Sequence, residues 1–281
     1  MTPSAFDLSL PRGPLHAHRY GVAGAPLVLC VPGLSANALS FGAIAPRLAA
    51  RGLQVVALDL RGRGQSPSGA PGSHGWPNHA QDVLDAASAL GAERFGLIGH
   101  SMGAFVSLAL LSLDAARVSR VALIDALGPP EAAALGPIGD GLRRLGLTFP
   151  SEDAYVAAVR DAGVVAPWNE VWERHYRYEL TRAPEGGVRA RTDMAVVKED
   201  LEYGKAHDAR SHWGSLRKET PALVLRAAQG MGPGGFVIRA EDYERFGREV
   251  PHARRVDVEA NHFGVMTHEG SLAALEALFA P

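Results

Sequence analysis

Ser101 and His262 are the residues of this chain whose types and settings could do covalent chemistry together. Ser101 is the centre of Gly99-His100-Ser101-Met102-Gly103. An apolar run, Phe95-Gly96-Leu97-Ile98, precedes it, and a nearly all-apolar stretch from Ala104 to Leu111 follows. That order predicts a buried strand, a very tight turn and a buried helix. Gly-x-Ser-x-Gly in this setting is the pattern of a nucleophile elbow, whose backbone is too sharply bent for bulky neighbours. The hydroxyl then stands over the ends of the strands, and the Met102 amide points toward any anion formed on a carbonyl that Ser101 attacks. A serine hydroxyl is a poor nucleophile until a base takes its proton. Of the eleven histidines, His262 is the best placed, because it follows a predicted strand over residues 254–258. His100 is expected to pack across the turn, and His74 and His79 are expected to lie solvated in a loop.

The elements that must position these groups alternate. Phe6–Leu10 and Leu15–Tyr20 predict an antiparallel hairpin, with His16 and His18 on one face. A metal there is conceivable, but no third ligand is implied, and two surface histidines are the plainer reading. From residue 27 onward, apolar strands over 27–31, 54–58, 95–98 and 118–124 are separated by helices, one of them over 78–90. Such alternation predicts a mostly parallel sheet flanked by helices on both faces. Ligands of such sheets bind beyond the carboxyl ends of the strands, where the elbow places Ser101.

Residues 128–215 interrupt the pattern and predict an all-helical insertion. Ser151 and Asn169 are expected helix caps, and Met194, Val197 and Leu201 share one helical face. The insertion carries Trp168, Trp172 and Trp213 among the chain's four tryptophans. Trp168, Trp172 and Tyr176 are candidates for lining a substrate pocket, against the plainer reading of cap core. Alternation resumes with a strand over 221–225, a helix over 241–250, a strand over 254–258 and a last helix capped by Ser271. Gly230-Met231-Gly232-Pro233-Gly234-Gly235 spells a G-x-G-x-x-G. A dinucleotide site is rejected there, because Pro233 removes an amide and the next helix begins too late.

With 47% hydrophobic residues and a formal charge of −2, nothing in the composition points to nucleic acid or an anionic membrane as partner. The lone Cys30 sits in an apolar run, forms no internal disulfide and is expected to be inert. No signal peptide and no membrane span is predicted, so a cytoplasmic protein with a small hydrophobic substrate is the expectation.

Four features together resemble the α/β-hydrolase family over essentially the whole chain: Val31-Pro32-Gly33-Leu34, the loop Asp59-Leu60-Arg61-Gly62-Arg63-Gly64-Gln65-Ser66, the elbow, and Asn261-His262-Phe263. The resemblance implies a core of residues 1–127 and 216–281, with 128–215 standing where the family carries its helical lid. Pro32 replaces the usual histidine of His-Gly-x, but Gly33 still permits the turn. The resemblance then implies an oxyanion hole made by the Leu34 and Met102 amides. The commoner relatives carry Asp after the strand over 221–225, as Gly-x-x-Asp. Here Arg226 to Phe236 has no carboxylate, and Glu241 and Asp242 look like helix-start residues. Other relatives place the acid at the end of the preceding strand, which favours Asp125, against a strand-end residue that merely caps its loop.

These readings imply a serine hydrolase for a carboxylic ester or lactone, working through an acyl-enzyme with no cofactor and no metal. Epoxide hydrolase and dehalogenase chemistry needs a carboxylate at the elbow, which Ser101 does not supply. Hydrolysis of a carbon–carbon bond beside a carbonyl, and a weakly catalytic small-molecule binder on the same scaffold, remain as alternatives.

Overall fold

The computed structural model describes residues 2–231 and 235–280. Strand β1 (Ser4–Leu8) pairs antiparallel with β2 (Leu15–Tyr20), two residues earlier than the sequence pattern suggests. The sheet continues through β3 (Leu27–Val31), helix α1 (Ile44–Ala49), β4 (Gln54–Leu58), α2 (Trp76–Ala89), β5 (Phe95–His100), α3 (Met102–Asp114) and β6 (Val118–Ile124). Strand β3 shows why this sheet lies between two helical layers. Leu27, Leu29 and Val31 join one apolar cluster, while Val28 and Cys30 join the other. Successive side chains point to opposite faces, so a continuously apolar strand needs cover on both sides. Helices α2 and α3 supply one cover through Val83, Leu108 and Leu111. Helix α1 supplies part of the other through Ile44 and Leu48. Cys30 is fully buried, and burial pushes its thiol up, away from the reactive thiolate.

After β6 the chain leaves the sheet. Helices α4 (Ala132–Arg143), α5 (Glu152–Asp161) and α6 (Glu170–Tyr178) follow. Ser151 caps α5 by accepting from Ala154 N, and Asn169 caps α6 by accepting from Val171 N and Trp172 N. The insertion is not wholly helical. A hairpin of β7 (Leu180–Arg182) and β8 (Val188–Ala190) interrupts it. Gly186 and Gly187 both take positive φ in its turn, and side chains there would be strained. Strands of three residues, Leu-Thr-Arg and Val-Arg-Ala, are too short for an alternation to stand out. Helix α7 (Met194–Ala206), capped by Asp193, ends the insertion, and Ala209–Ser215 follows as a tight 3₁₀ segment. Trp213 in that segment belongs to the core: its indole N–H donates to Leu127 O, and its ring meets Phe246 edge-on.

Strand β9 (Ala222–Ala227), helix α8 (Ala240–Glu249), β10 (Arg254–Val258) and α9 (Glu269–Phe279) complete the fold. The strand order is β1-β2-β4-β3-β5-β6-β9-β10, parallel from β4 to β10. Residues 232–234 of the glycine-rich stretch lie outside the described residues. The last helix is capped by His268, with Ser271 buried in its first turn rather than capping it. No helix among the described residues is long and apolar enough to cross a membrane.

The histidines expected at the surface are largely covered. His18 is buried beneath Tyr178 of α6, with ring centroids 5.1 Å apart. His79 lies in α2, not in a loop, and is buried against α7. Burial, and then the neighbouring His16, lower the His18 pKa from 6.5 to about 4. Burial, and then Arg144, lower that of His175 to about 3. The unfolded chain protonates these imidazoles below about pH 6.5, whereas the folded chain does not until about pH 4 for His18 and about pH 3 for His175, so protons favour unfolding over that range. The stability they contribute is complete above pH 6.5. The melting temperature is therefore expected to fall steadily from pH 6.5 to pH 4, and His18→Gln to make that fall shallower. A melting temperature that stays level to pH 4 would contradict this.

Candidate active site

Ser101 joins β5 to α3 with φ 55° and ψ −124°. A non-glycine residue there costs of order 1–3 kcal/mol and persists only where its surroundings hold it. Two backbone bonds do so: Ser101 N donates to Ile124 O at 2.9 Å, and Ala104 N donates to Ser101 O at 2.9 Å. The flanking glycines are required by proximity. A Cβ on Gly103 would collide with the Val31 carbonyl, and one on Gly99 with the Gly103 carbonyl. The first turn of α3 thereby packs directly on β3, with the Met102 amide next in the chain to the serine.

Asp125 follows β6 with φ 50°, a left-handed conformation that aspartate tolerates better than most residues. Its amide donates to Leu225 O at 2.8 Å, and its Oδ1 accepts from Ala227 N at 3.0 Å. Those two bonds to β9 leave Oδ2 to receive the His262 Nδ1 at 2.7 Å. Asp125 is 1% exposed. His262 sits in the loop after β10, where Asn261 Oδ1 accepts from the amides of Phe263 and Gly264. His100 closes the arrangement from behind, its Nε2–H donating to His262 O at 3.0 Å. Burial, and then His262, hold the His100 pKa well below the ordinary range, so it is a neutral donor. With Nδ1 occupied, the Nε2 of His262 is the nitrogen that can take a proton. Among the described residues Ser101 Oγ makes no hydrogen bond with it.

The loop after β3 passes beside the serine: a Cβ on Gly33 would lie 3.6 Å from Ser101 Oγ. Leu34 is therefore one residue from contact, and its carbonyl accepts from Arg63 Nε at 2.9 Å. Above, Trp172 of α6 is buried and meets Phe263 edge-on, with centroids 5.5 Å apart; Phe263 meets His262 in the same way. Trp168 stacks on Tyr176 at 5.7 Å, and Tyr176 is linked to Trp172 through His175, so both rings stand farther from the imidazole than Trp172 does.

Sequence reasoning missed the buried polar groups within the insertion and at its seam with the core. Arg144 pairs with buried Glu179, which also accepts from Tyr155 OH, and Arg144 lies over the Tyr176 ring. Asp200 of α7 receives Arg63 and His79. The available signal was a carboxylate on the same helical face as buried Val196 and Val197. His16, His18 and Asp59 also converge, with ligand atoms within 4.8 Å of one another. Asp59, however, already accepts from Ala38 N, Gln65 N and Tyr178 OH, and His16 Nδ1 bonds to Asp7. That group holds loops together, and its oxygens are engaged.

Two outcomes follow. Asp125→Asn is expected to cut turnover about 10⁴-fold without unfolding the chain, because the amide favours the wrong imidazole tautomer. Activity within tenfold of wild type would remove Asp125 from the site. Gly103→Ala is expected to lose the fold or several kcal/mol of stability, since backbone must move to admit the methyl group. A melting temperature equal to wild type would show the helix is free to shift.

Residues 26–269 match the family model described as alpha/beta hydrolase fold. N-formylmaleamate deformylase of Pseudomonas putida is 36% identical over 150 residues, 53% of this chain and 50% of that protein. The chain thus aligns with about half the length of that curated relative. The structure of a hypothetical protein of Pseudomonas aeruginosa PAO1 is 31% identical, covers 98% of both chains and superposes with a TM-score of 0.77. That of E-2-(acetamidomethylene)succinate hydrolase superposes with a TM-score of 0.87 over 99% of this chain and 100% of its own, at 20% identity, which speaks to fold alone. The chain belongs to the α/β-hydrolase fold family.

Proposed function

We propose that the chain is a serine hydrolase that cleaves a carboxylic ester or lactone through an acyl-enzyme. The observation that carries this reading is the 2.7 Å bond between Asp125 and His262 Nδ1, beside a serine held at φ 55°. Ser101 Oγ attacks the carbonyl carbon while His262 Nε2 takes its proton. Asp125 fixes the imidazole tautomer and stabilises the imidazolium. The carbonyl π pair moves to oxygen, and the Leu34 and Met102 amides stabilise that anion. As the anion collapses, the bond to the leaving oxygen breaks and His262 returns the proton to it. Water then attacks the acyl-serine with His262 again as base, releasing the acid and restoring Ser101.

The same steps serve an amide, with the leaving nitrogen protonated by His262. The likeness to a deformylase over half the chain favours that second reading for a small amide. In either case the stretch from α4 to α7 acts as the cap, and Trp168, Trp172 and Tyr176 line the acyl or leaving-group side of the pocket. Trp172 is buried with its indole N–H unpartnered among the described residues, a donor available to a bound polar group.

A panel of p-nitrophenyl esters, lactones and small N-acyl amides tests the proposal. Turnover of at least one class is expected, with Ser101→Ala losing about 10⁴-fold or more and keeping its melting temperature. Trp172→Ala is expected to reorder preference within the panel. Full activity in Ser101→Ala would overturn the proposal, and tight binding without turnover would favour the non-catalytic binder.

A further inference from the structure

We infer that Arg63 is a positioning residue for the oxyanion hole, held in place by Asp200 of the cap. The inference rests on the reading of the Leu34 N–H as an oxyanion donor. The Arg63 side chain is wholly buried and divides its donors among three acceptors. Nε donates to Leu34 O at 2.9 Å, Nη1 to Arg61 O at 2.9 Å, and Nη2 to Asp200 Oδ2 at 2.6 Å. A planar guanidinium with all three sides engaged cannot rotate without breaking charge-assisted bonds in a low-dielectric setting. Holding the Leu34 carbonyl restrains ψ of Leu34, and through that residue it steadies the preceding peptide, whose N–H is read above as the oxyanion donor.

Asp200 comes from α7, so one end of this chain of contacts lies outside the sheet. Its carboxylate is also buried, accepting from Gly75 N at 2.7 Å and from His79 Nε2 at 3.0 Å. Burial raises its pKa, but the bond to His79, the charges of His79 and Arg63 and the Gly75 amide outweigh that, so it stays ionised. Helix α7 is seated on the same loop through Asp193 N to Gly62 O at 2.8 Å. The transition-state donor at Leu34 is therefore set only when α7 is docked. Cap seating and carbonyl activation are coupled through one guanidinium.

The test compares wild type, Arg63→Lys, Asp200→Asn and the double variant Arg63→Met/Asp200→Leu. The double variant removes the Arg63–Asp200 pair as a whole, and the melting temperature of each variant separates loss of fold from a change at the site. p-Nitrophenyl acetate turnover and inhibition by phenylboronic acid, which forms a tetrahedral adduct on an active-site serine, are read for each. Expected is a kcat about 100-fold lower with KM within about threefold, and a parallel loss of boronate affinity. Folded variants with kcat and boronate affinity within about twofold of wild type would overturn the inference, as would a rise in KM alone. Wild type that neither turns over any ester or amide nor binds boronate would overturn the serine-hydrolase reading, and this inference with it.

Discussion

Ser101 is held in a backbone conformation that L-residues rarely adopt, and the geometry around the site depends on that constraint. The strain is small beside the burial of α3, whose Leu108, Ala109, Leu110 and Leu111 are all inside the core. Gly99 and Gly103 let the helix start press onto β3, so the turn cannot relax without lifting the helix off the sheet. The serine is thus aimed by packing, and among the described residues no hydrogen bond holds its hydroxyl. The start of α3 follows the serine directly in the chain, and the loop at Gly33 passes beside it.

The polar groups are positioned by backbone in the same way. Asp125 leaves β6 in a left-handed turn and is tied to β9 by its own amide and by Ala227 N. The neighbouring strand, where commoner relatives place the acid, here supplies anchoring bonds and no carboxylate. Adjacent parallel strands lie about 4.8 Å apart, a gap that one side chain can bridge by pointing across it. His262 is fixed from three directions, by Asp125 on its ring, His100 on its carbonyl and the Asn261 turn on the following amides. Proton transfer needs such restraint, because a ring free to turn presents the wrong nitrogen.

What was legible in the sequence tracks what is local. β3 and β4 fall at the residues their apolar runs mark, because buried parallel strands carry a continuous signal. Ser101 was legible because the elbow's glycines, strand and helix are contiguous. His262 followed from its place after the last strand, whereas Asp125 needed the strand order, which no short window contains. Least legible was the seam between insertion and core. Arg63 and Asp200 are 137 positions apart, and their pairing is set by how α7 docks on the loop after β4. The hairpin of β7 and β8 was invisible for a different reason: its strands are too short to alternate. His18 and His79 were misplaced at the surface because Tyr178 and α7, which cover them, arrive from far along the chain.

The central claim is that Ser101 forms a covalent acyl intermediate that His262 helps to make and to break. Acid quenching during steady turnover of an aryl ester, followed by intact mass and peptide mapping, tests it directly. One acyl group per chain on the peptide containing Ser101, absent from unreacted protein and lost as substrate is exhausted, is the predicted result. Sustained turnover with no adduct at Ser101, or with the acyl group on a different residue, would contradict the account.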